Sequence, residues 1–77
     1  MTFENAFLNM KRYGGRIRRA KYPNCELTIL NGILFTLIYD DETKQPILET
    51  EINVSTKDLM ANDWEVNIIG AFVNENI

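Results

Sequence analysis

Two apolar runs flank the dipeptide Asn31-Gly32. Leu27-Thr28-Ile29-Leu30 precedes it, and Ile33-Leu34-Phe35-Thr36-Leu37-Ile38-Tyr39 follows. Asn-Gly supplies the two positive-φ residues of a type I′ turn, whose twist matches that of paired strands. The sequence therefore predicts a β-hairpin. Its second strand constrains the rest of the chain, because it is apolar on both sides. Ile33, Phe35, Leu37 and Tyr39 fall on one side, and Leu34 and Ile38 on the other. Each face needs a cover. Phe3, Ala6, Phe7 and Met10 recur at helical spacing behind the N-cap candidate Thr2. They predict one amphipathic helix over residues 3–12, ended by Gly14-Gly15. One helix covers one face of a small sheet, and a second copy of the chain is the economical cover for the other.

The remaining elements follow from alternation and capping. Arg16-Ile17-Arg18-Arg19 predicts a short strand with Ile17 and Arg19 on the core side and Arg16 and Arg18 outward. Leu48, Thr50, Ile52 and Val54 alternate with Ile47, Glu49, Glu51 and Asn53 as a half-buried strand. Ser55, with Asp58 three residues on, opens a short helix through a capping-box pattern. Trp64, Val66 and Ile68 alternate in a last strand. The expected architecture is α+β: an N-terminal helix packed on an antiparallel sheet of four to five strands, plus one short helix before the last strand. Residues 1–77 form a single domain. The tail, residues 70–77, carries Ala71-Phe72-Val73, too apolar for a free end, and is a candidate for an oligomer interface.

A chain of 77 residues is short of core. Domains of this size bury only about 60–65% of the unfolded chain's surface and usually need a staple. Cys25 is the single cysteine and there is no histidine. An intrachain disulfide and an ordinary Cys/His zinc site are therefore excluded, and oligomerisation is the remaining staple. Cys25 is expected as a buried, inert thiol in a reducing, cytosolic compartment. No apolar run approaches the ~18 residues of a membrane span, and the first residues lack a signal-peptide pattern.

Charge is sharply partitioned. Residues 1–22 hold six basic side chains and one acidic, net +5, while residues 23–77 hold two basic and ten acidic, net −8. Extended nucleic-acid binding wants a wide basic surface, so nucleic acid is not the expected partner and a compact anion suits the pattern better. Guanidinium groups pair bidentately with phosphate, which makes the segment from Lys11 to Lys21 a candidate clamp; a solvated strand beside a helix end is the plainer reading. Tyr22 and Trp64 are the rings available for stacking, Trp64 being read as core first. Histidine-based acid–base catalysis is absent, and no cofactor or metal is expected. Asp40-Asp41-Glu42 lacks the EF-hand spacing and reads as a solvated turn.

Three blocks carry a family resemblance: Phe3-Glu4-Asn5-Ala6, then Gly14-Gly15-Arg16-Ile17-Arg18-Arg19-Ala20-Lys21-Tyr22, then Ser55-Thr56-Lys57-Asp58-Leu59-Met60-Ala61-Asn62-Asp63-Trp64-Glu65. The chain resembles the Thoeris anti-defence type-two-like domain of phages, formerly a domain of unknown function. That family opens with phenylalanine–x–x–alanine, then a basic strand and arginine–x–x–tryptophan. It closes with serine–x–x–aspartate–leucine–leucine–alanine–x–aspartate–tryptophan–glutamate. The resemblance implies a sponge in the cytosol of an infected bacterium. Such a protein binds a cyclic nucleotide immune signal, a cyclic ADP-ribose isomer or a cyclic oligonucleotide, and sequesters it without cleavage. It also implies a homo-oligomer, tetramer or dimer, with ligands between protomers. Arg19 and Tyr22 match the arginine–x–x–tryptophan pair near the ligand, and Ser55, Asp58, Asp63 and Trp64 are matched positions in the same ligand-binding set. Tyr22 stands where the family has tryptophan, and Ile52 where many members have a second one. The alternative readings are a protein-binding inhibitor of a host defence nuclease, using the acidic stretch 40–65, and a small nucleic-acid-binding accessory protein.

Overall fold

The computed structural model describes residues 1–75. Helix α1 (Phe3–Tyr13) is followed by β1 (Arg16–Arg19), β2 (Cys25–Leu30), β3 (Ile33–Tyr39) and β4 (Pro46–Glu49). Helix α2 (Thr56–Met60), β5 (Trp64–Asn67) and β6 (Phe72–Val73) complete the chain. The strands form one sheet in the order β4-β3-β2-β1-β5-β6, antiparallel at every pairing. The α+β expectation of one helix on an antiparallel sheet, with a short helix before a late strand, describes this fold. The strand number does not: there are six, not four to five.

The sixth strand is the apolar tail. Phe72 and Val73 pair with Asn67 and Val66 of the same chain. Residues 76–77 of that tail lie outside the described residues. The strand expected through Val54 also ends early, at Glu49, and all of β4 is exposed. Beyond it the chain leaves the sheet edge. Ile52 and Val54 fold back against the core instead, gaining burial that an edge strand would not give them. Thr36 Oγ1 donates to the Glu51 carbonyl at 3.0 Å and holds this departure in place.

α1 forms where the spacing predicts. Thr2 Oγ1 accepts from Asn5 N–H at 3.2 Å, and Gly14 N–H donates to the Met10 carbonyl at 2.8 Å. Its Ala6 and Met10 are buried against Ile17, Leu27, Trp64 and Val66. Ile17 opposes Leu27 on one side and Val66 on the other, so the middle of β1 is the centre of the core. The hairpin turn is as expected: Asn31 and Gly32 have φ of 53° and 79°. Gly15 has φ +92°, and a Cβ there would run into the Asn67 carbonyl, so glycine alone permits β5 to approach the start of β1.

The face away from α1 is not simply solvated. Arg16 and Arg18 point there as expected, but each meets a carboxylate. Arg16 Nη1 lies 3.2 Å from Glu26 Oε1 and donates to Tyr39 Oη at 2.7 Å. Arg18 Nε lies 3.1 Å from Glu65 Oε1, and its guanidinium stands 3.7 Å from the Phe72 ring centroid. Cross-strand register produces these pairs: Glu26 and Glu65 are the residues opposite Arg18 on its two neighbouring strands. Leu30, Ile33 and Leu48 remain about half exposed on this face, at 46%, 52% and 52%. Among the described residues no helix is long and apolar enough to cross a membrane.

Candidate functional site

At the end of β1 that leads into the turn, the chain brings all six sequence-selected residues to one corner. Arg19 follows Ile17 on the α1 side of the sheet, opposite Trp64 in register. Its Nε donates to Asp63 Oδ1 and its Nη1 to Asp58 Oδ1, both at 2.7 Å. Asp63 Oδ2 also accepts from Lys21 N–H at 3.2 Å. Asp58 does double duty. Its Oδ2 accepts from the Ser55 N–H and hydroxyl at 3.0 Å, while its own N–H donates to Ser55 Oγ at 3.2 Å. Ser55 is therefore the N-cap of α2 in a complete capping box. Trp64 Nε1 donates to the Asp58 carbonyl at 2.7 Å. The indole is buried, with its ring edge-on to Phe3 at 4.9 Å.

The electrostatics follow from this geometry. Hydrogen bonds from Arg19 first, then from the Ser55 backbone, hold the Asp58 carboxyl below the usual carboxylate range. Arg19 does the same for Asp63, assisted by the Lys21 backbone N–H. Asp63 and then Asp58 hold the Arg19 guanidinium all the more firmly in its charged form. One cation is thus matched by two anions. The sequence suggested a phosphate clamp built on the basic stretch, but the three strand arginines are committed to carboxylates. Arg16, Arg18 and Arg19 each have acidic partners within 3.2 Å. Ser55, Asp58, Asp63 and Trp64 form the brace that fixes Arg19 and the corner around it.

Beside the brace lies a cleft of about 110 Å³. Arg19, Asp58 and Trp64 form one wall. Leu27 and Ile38 supply an apolar floor, and the opposite wall is Glu49, Glu51, Asn53 and Val54. Tyr22 stands at the mouth, 48% exposed, with its ring 5.3 Å from the Arg19 guanidinium carbon. The turn carrying it is closed by Tyr22 N–H donating to the Arg19 carbonyl at 3.0 Å. Lys21 Nζ lies 5.5 Å from the same ring centroid, on an exposed residue. Of the two rings among the six selected residues, Tyr22 is the exposed one, and Arg19 and Lys21 both approach it.

Cys25 lines the cleft too, and it is exposed, not buried. The strand begins two residues before its apolar run, which leaves its first residue at the surface. Partial burial first, then the nearby carboxylates of Asp58, Glu26 and Glu49, push its thiol pKa up.

The acidic wall is what sequence reasoning missed. Alternation placed Glu49, Glu51 and Asn53 on the solvent side of a long strand. Pairing decides otherwise: Glu49 opposes Thr36, which opposes Leu27, which opposes Ile17, so Glu49 belongs to the α1 side of the sheet. Only register, which no local pattern encodes, reveals this.

Comparison with protein-family models, with curated proteins and with solved structures gave no match to this chain. The family resemblance therefore rests on the three residue blocks themselves.

Proposed function

We propose that the protein binds a cyclic nucleotide immune signal, a cyclic ADP-ribose isomer or a cyclic oligonucleotide, and sequesters it without cleaving it. The observation that carries this reading is the position of Tyr22. A half-exposed ring, on a turn closed by the Tyr22 N–H to the Arg19 carbonyl, lines an apolar-floored cleft. A base stacking there gains about 1–3 kcal/mol. Two of the matched blocks support the same reading, because Arg19 and Tyr22 of one and Ser55, Asp58 and Asp63 of the other converge on this corner.

Sequestration asks only for affinity, about 8–12 kcal/mol for micromolar to nanomolar binding. The cleft is smaller than the roughly 300–1,000 Å³ that encloses a drug-sized ligand. It takes one ring of such a molecule and leaves the rest to a second protomer. Ile38 and Ile47, paired on the same side of the sheet as the cleft and partly exposed, supply apolar surface for that assembly.

The test is to incubate the protein with glyco-cyclic ADP-ribose and with cyclic di- and trinucleotides, isolate the protein, denature it and analyse what is released. Intact ligand recovered from the protein fraction supports sequestration. Turnover products would make it an enzyme, and no retention would sink the reading. Light scattering at micromolar concentration tests the assembly: a monomer there would remove it. The nucleic-acid alternative is weakened by the pairing of Arg16, Arg18 and Arg19 with carboxylates.

A further inference from the structure

We infer that the cleft is a subsite for the amino-bearing edge of a heteroaromatic base, read by Glu49 and Glu51, and that phosphate is held outside it. This rests on the nucleotide reading above and assigns the two specificity-determining residues of that site.

The charge balance of the lining decides it. Arg19 is the cation of the cleft, and its charge is matched by Asp58 and Asp63. Glu49 and Glu51 then stand in the opposite wall, and neither carboxylate has an ion-pair or hydrogen-bond partner among the described residues. A phosphate entering here would meet two uncompensated carboxylates and no uncommitted cation. Like charges repel, and no cation of the cleft is left over to offset them.

Ionised carboxylates only accept hydrogen bonds, so the complementary ligand edge is one of N–H donors. A flat ring with an exocyclic amino group satisfies every wall at once. Its face lies on Tyr22, its body over Leu27 and Ile38, and its amino edge towards Glu49 and Glu51. The cleft volume of about 110 Å³ limits the occupant to such a fragment. The position of the acidic wall is fixed, because β4 pairs with β3 through Thr36↔Glu49 and the Glu51 carbonyl is tied to Thr36 Oγ1. Phosphate goes to Lys21, which is outside the cleft lining. Its ammonium stands over the Tyr22 ring, 5.5 Å from the centroid, with no carboxylate within ion-pair distance among the described residues.

The experiment uses nucleoside pairs that differ by one amino group: adenosine against purine riboside, and guanosine against inosine. Binding is followed by tyrosine and tryptophan fluorescence or by calorimetry. At least one amino-bearing member is expected to bind tenfold or more tightly than its partner. A doubly substituted protein, E49Q/E51Q, is expected to shrink that ratio below threefold, since its amides are neutral and weaker acceptors. Both sites are exposed, and circular dichroism checks that the variant is folded. The single variant K21A is expected to weaken adenosine monophosphate and leave adenosine unchanged. Equal affinities within both pairs, or failure of every nucleoside to bind, would overturn the inference. Retained cyclic nucleotide without amino preference would remove this subsite and leave sequestration standing. Amino-selective nucleoside binding with no retained cyclic ligand would do the reverse.

Discussion

The two walls of the cleft are built in opposite ways. The Arg19 wall is over-determined. Trp64 is buried beneath it, Asp58 and Asp63 grip the guanidinium, and Ser55 caps the helix that presents Asp58. The β4 wall is an edge. Strand β4 is exposed throughout, as are Glu51 and Asn53 beyond it, and Glu49 and Glu51 have no partners for their carboxylates among the described residues. The difference teaches where recognition can come from. Groups that satisfy one another hold geometry but have little left for a ligand. Groups without partners on a fixed strand are the ones a ligand can satisfy.

The strongest test of this contrast compares a truncation in the Arg19 wall with one in the edge strand that carries Glu49. Trp64→Ala removes the indole from the core and its bond to the Asp58 carbonyl, and is expected to cost about 3–5 kcal/mol in denaturant unfolding. For so small a domain that is most of the stability. Leu48→Ala, in the exposed strand, is expected to stay within about 0.5 kcal/mol of the parent. A large Leu48 effect in dilute protein, or a small Trp64 effect, would erase the contrast.

Tyr22→Ala sharpens it next. The ring is half exposed, so folding should change little. Ligand retention should fall tenfold or more, in line with the roughly 1–3 kcal/mol of a base stack. Unchanged retention would move the ligand away from this mouth. Ser55→Ala is a smaller perturbation of the braced wall. Loss of the N-cap is expected to cost about 1 kcal/mol, and it frees Asp58 to move, so any ligand effect should appear as looser binding without altered base preference.

Acid probes the brace as a unit. The Asp58 and Asp63 carboxyls are both depressed in the folded protein by their bonds to Arg19. Their contribution is therefore complete above the unfolded aspartate value of about 4 and is lost as pH falls through it towards the folded values. The unfolding midpoint should drop below that pH in the parent and more shallowly in Arg19→Gln, which should itself be less stable at neutral pH. Identical acid profiles would show that the pairs contribute geometry alone. The smallest expected effect is chemical. Cys25 is exposed, yet its thiol is pushed up, so alkylation at neutral pH should be slower than for an unstructured cysteine peptide. A bound ligand should slow it further, because Cys25 lines the cleft.

Much of this molecule was legible in the chain because its signals are local. Asn31-Gly32 dictates its turn through backbone sterics, Thr2 and Ser55 announce their helices through the orphan N–H groups they cap, and Ile17 with Arg19 on one face follows from the two-residue repeat of a strand. The braced corner was legible as a set of positions, through the spacing of Ser55, Asp58, Asp63 and Trp64, but not as a brace. What the sequence alone could not decide was pairing. Whether Arg16, Arg18 and Arg19 await a phosphate or already hold Glu26, Glu65, Asp58 and Asp63 depends on which strands become neighbours and in what register. The same holds for Glu49, assigned to the cleft by its alignment with Thr36, and for Phe72-Val73, which closes the sheet of its own chain. Local chemistry fixes the elements because it acts between residues a few positions apart. The tertiary structure alone decided which charges are paired with one another and which are left without a partner, because those partners lie 39 to 47 residues apart in the chain for Arg18 and Arg19.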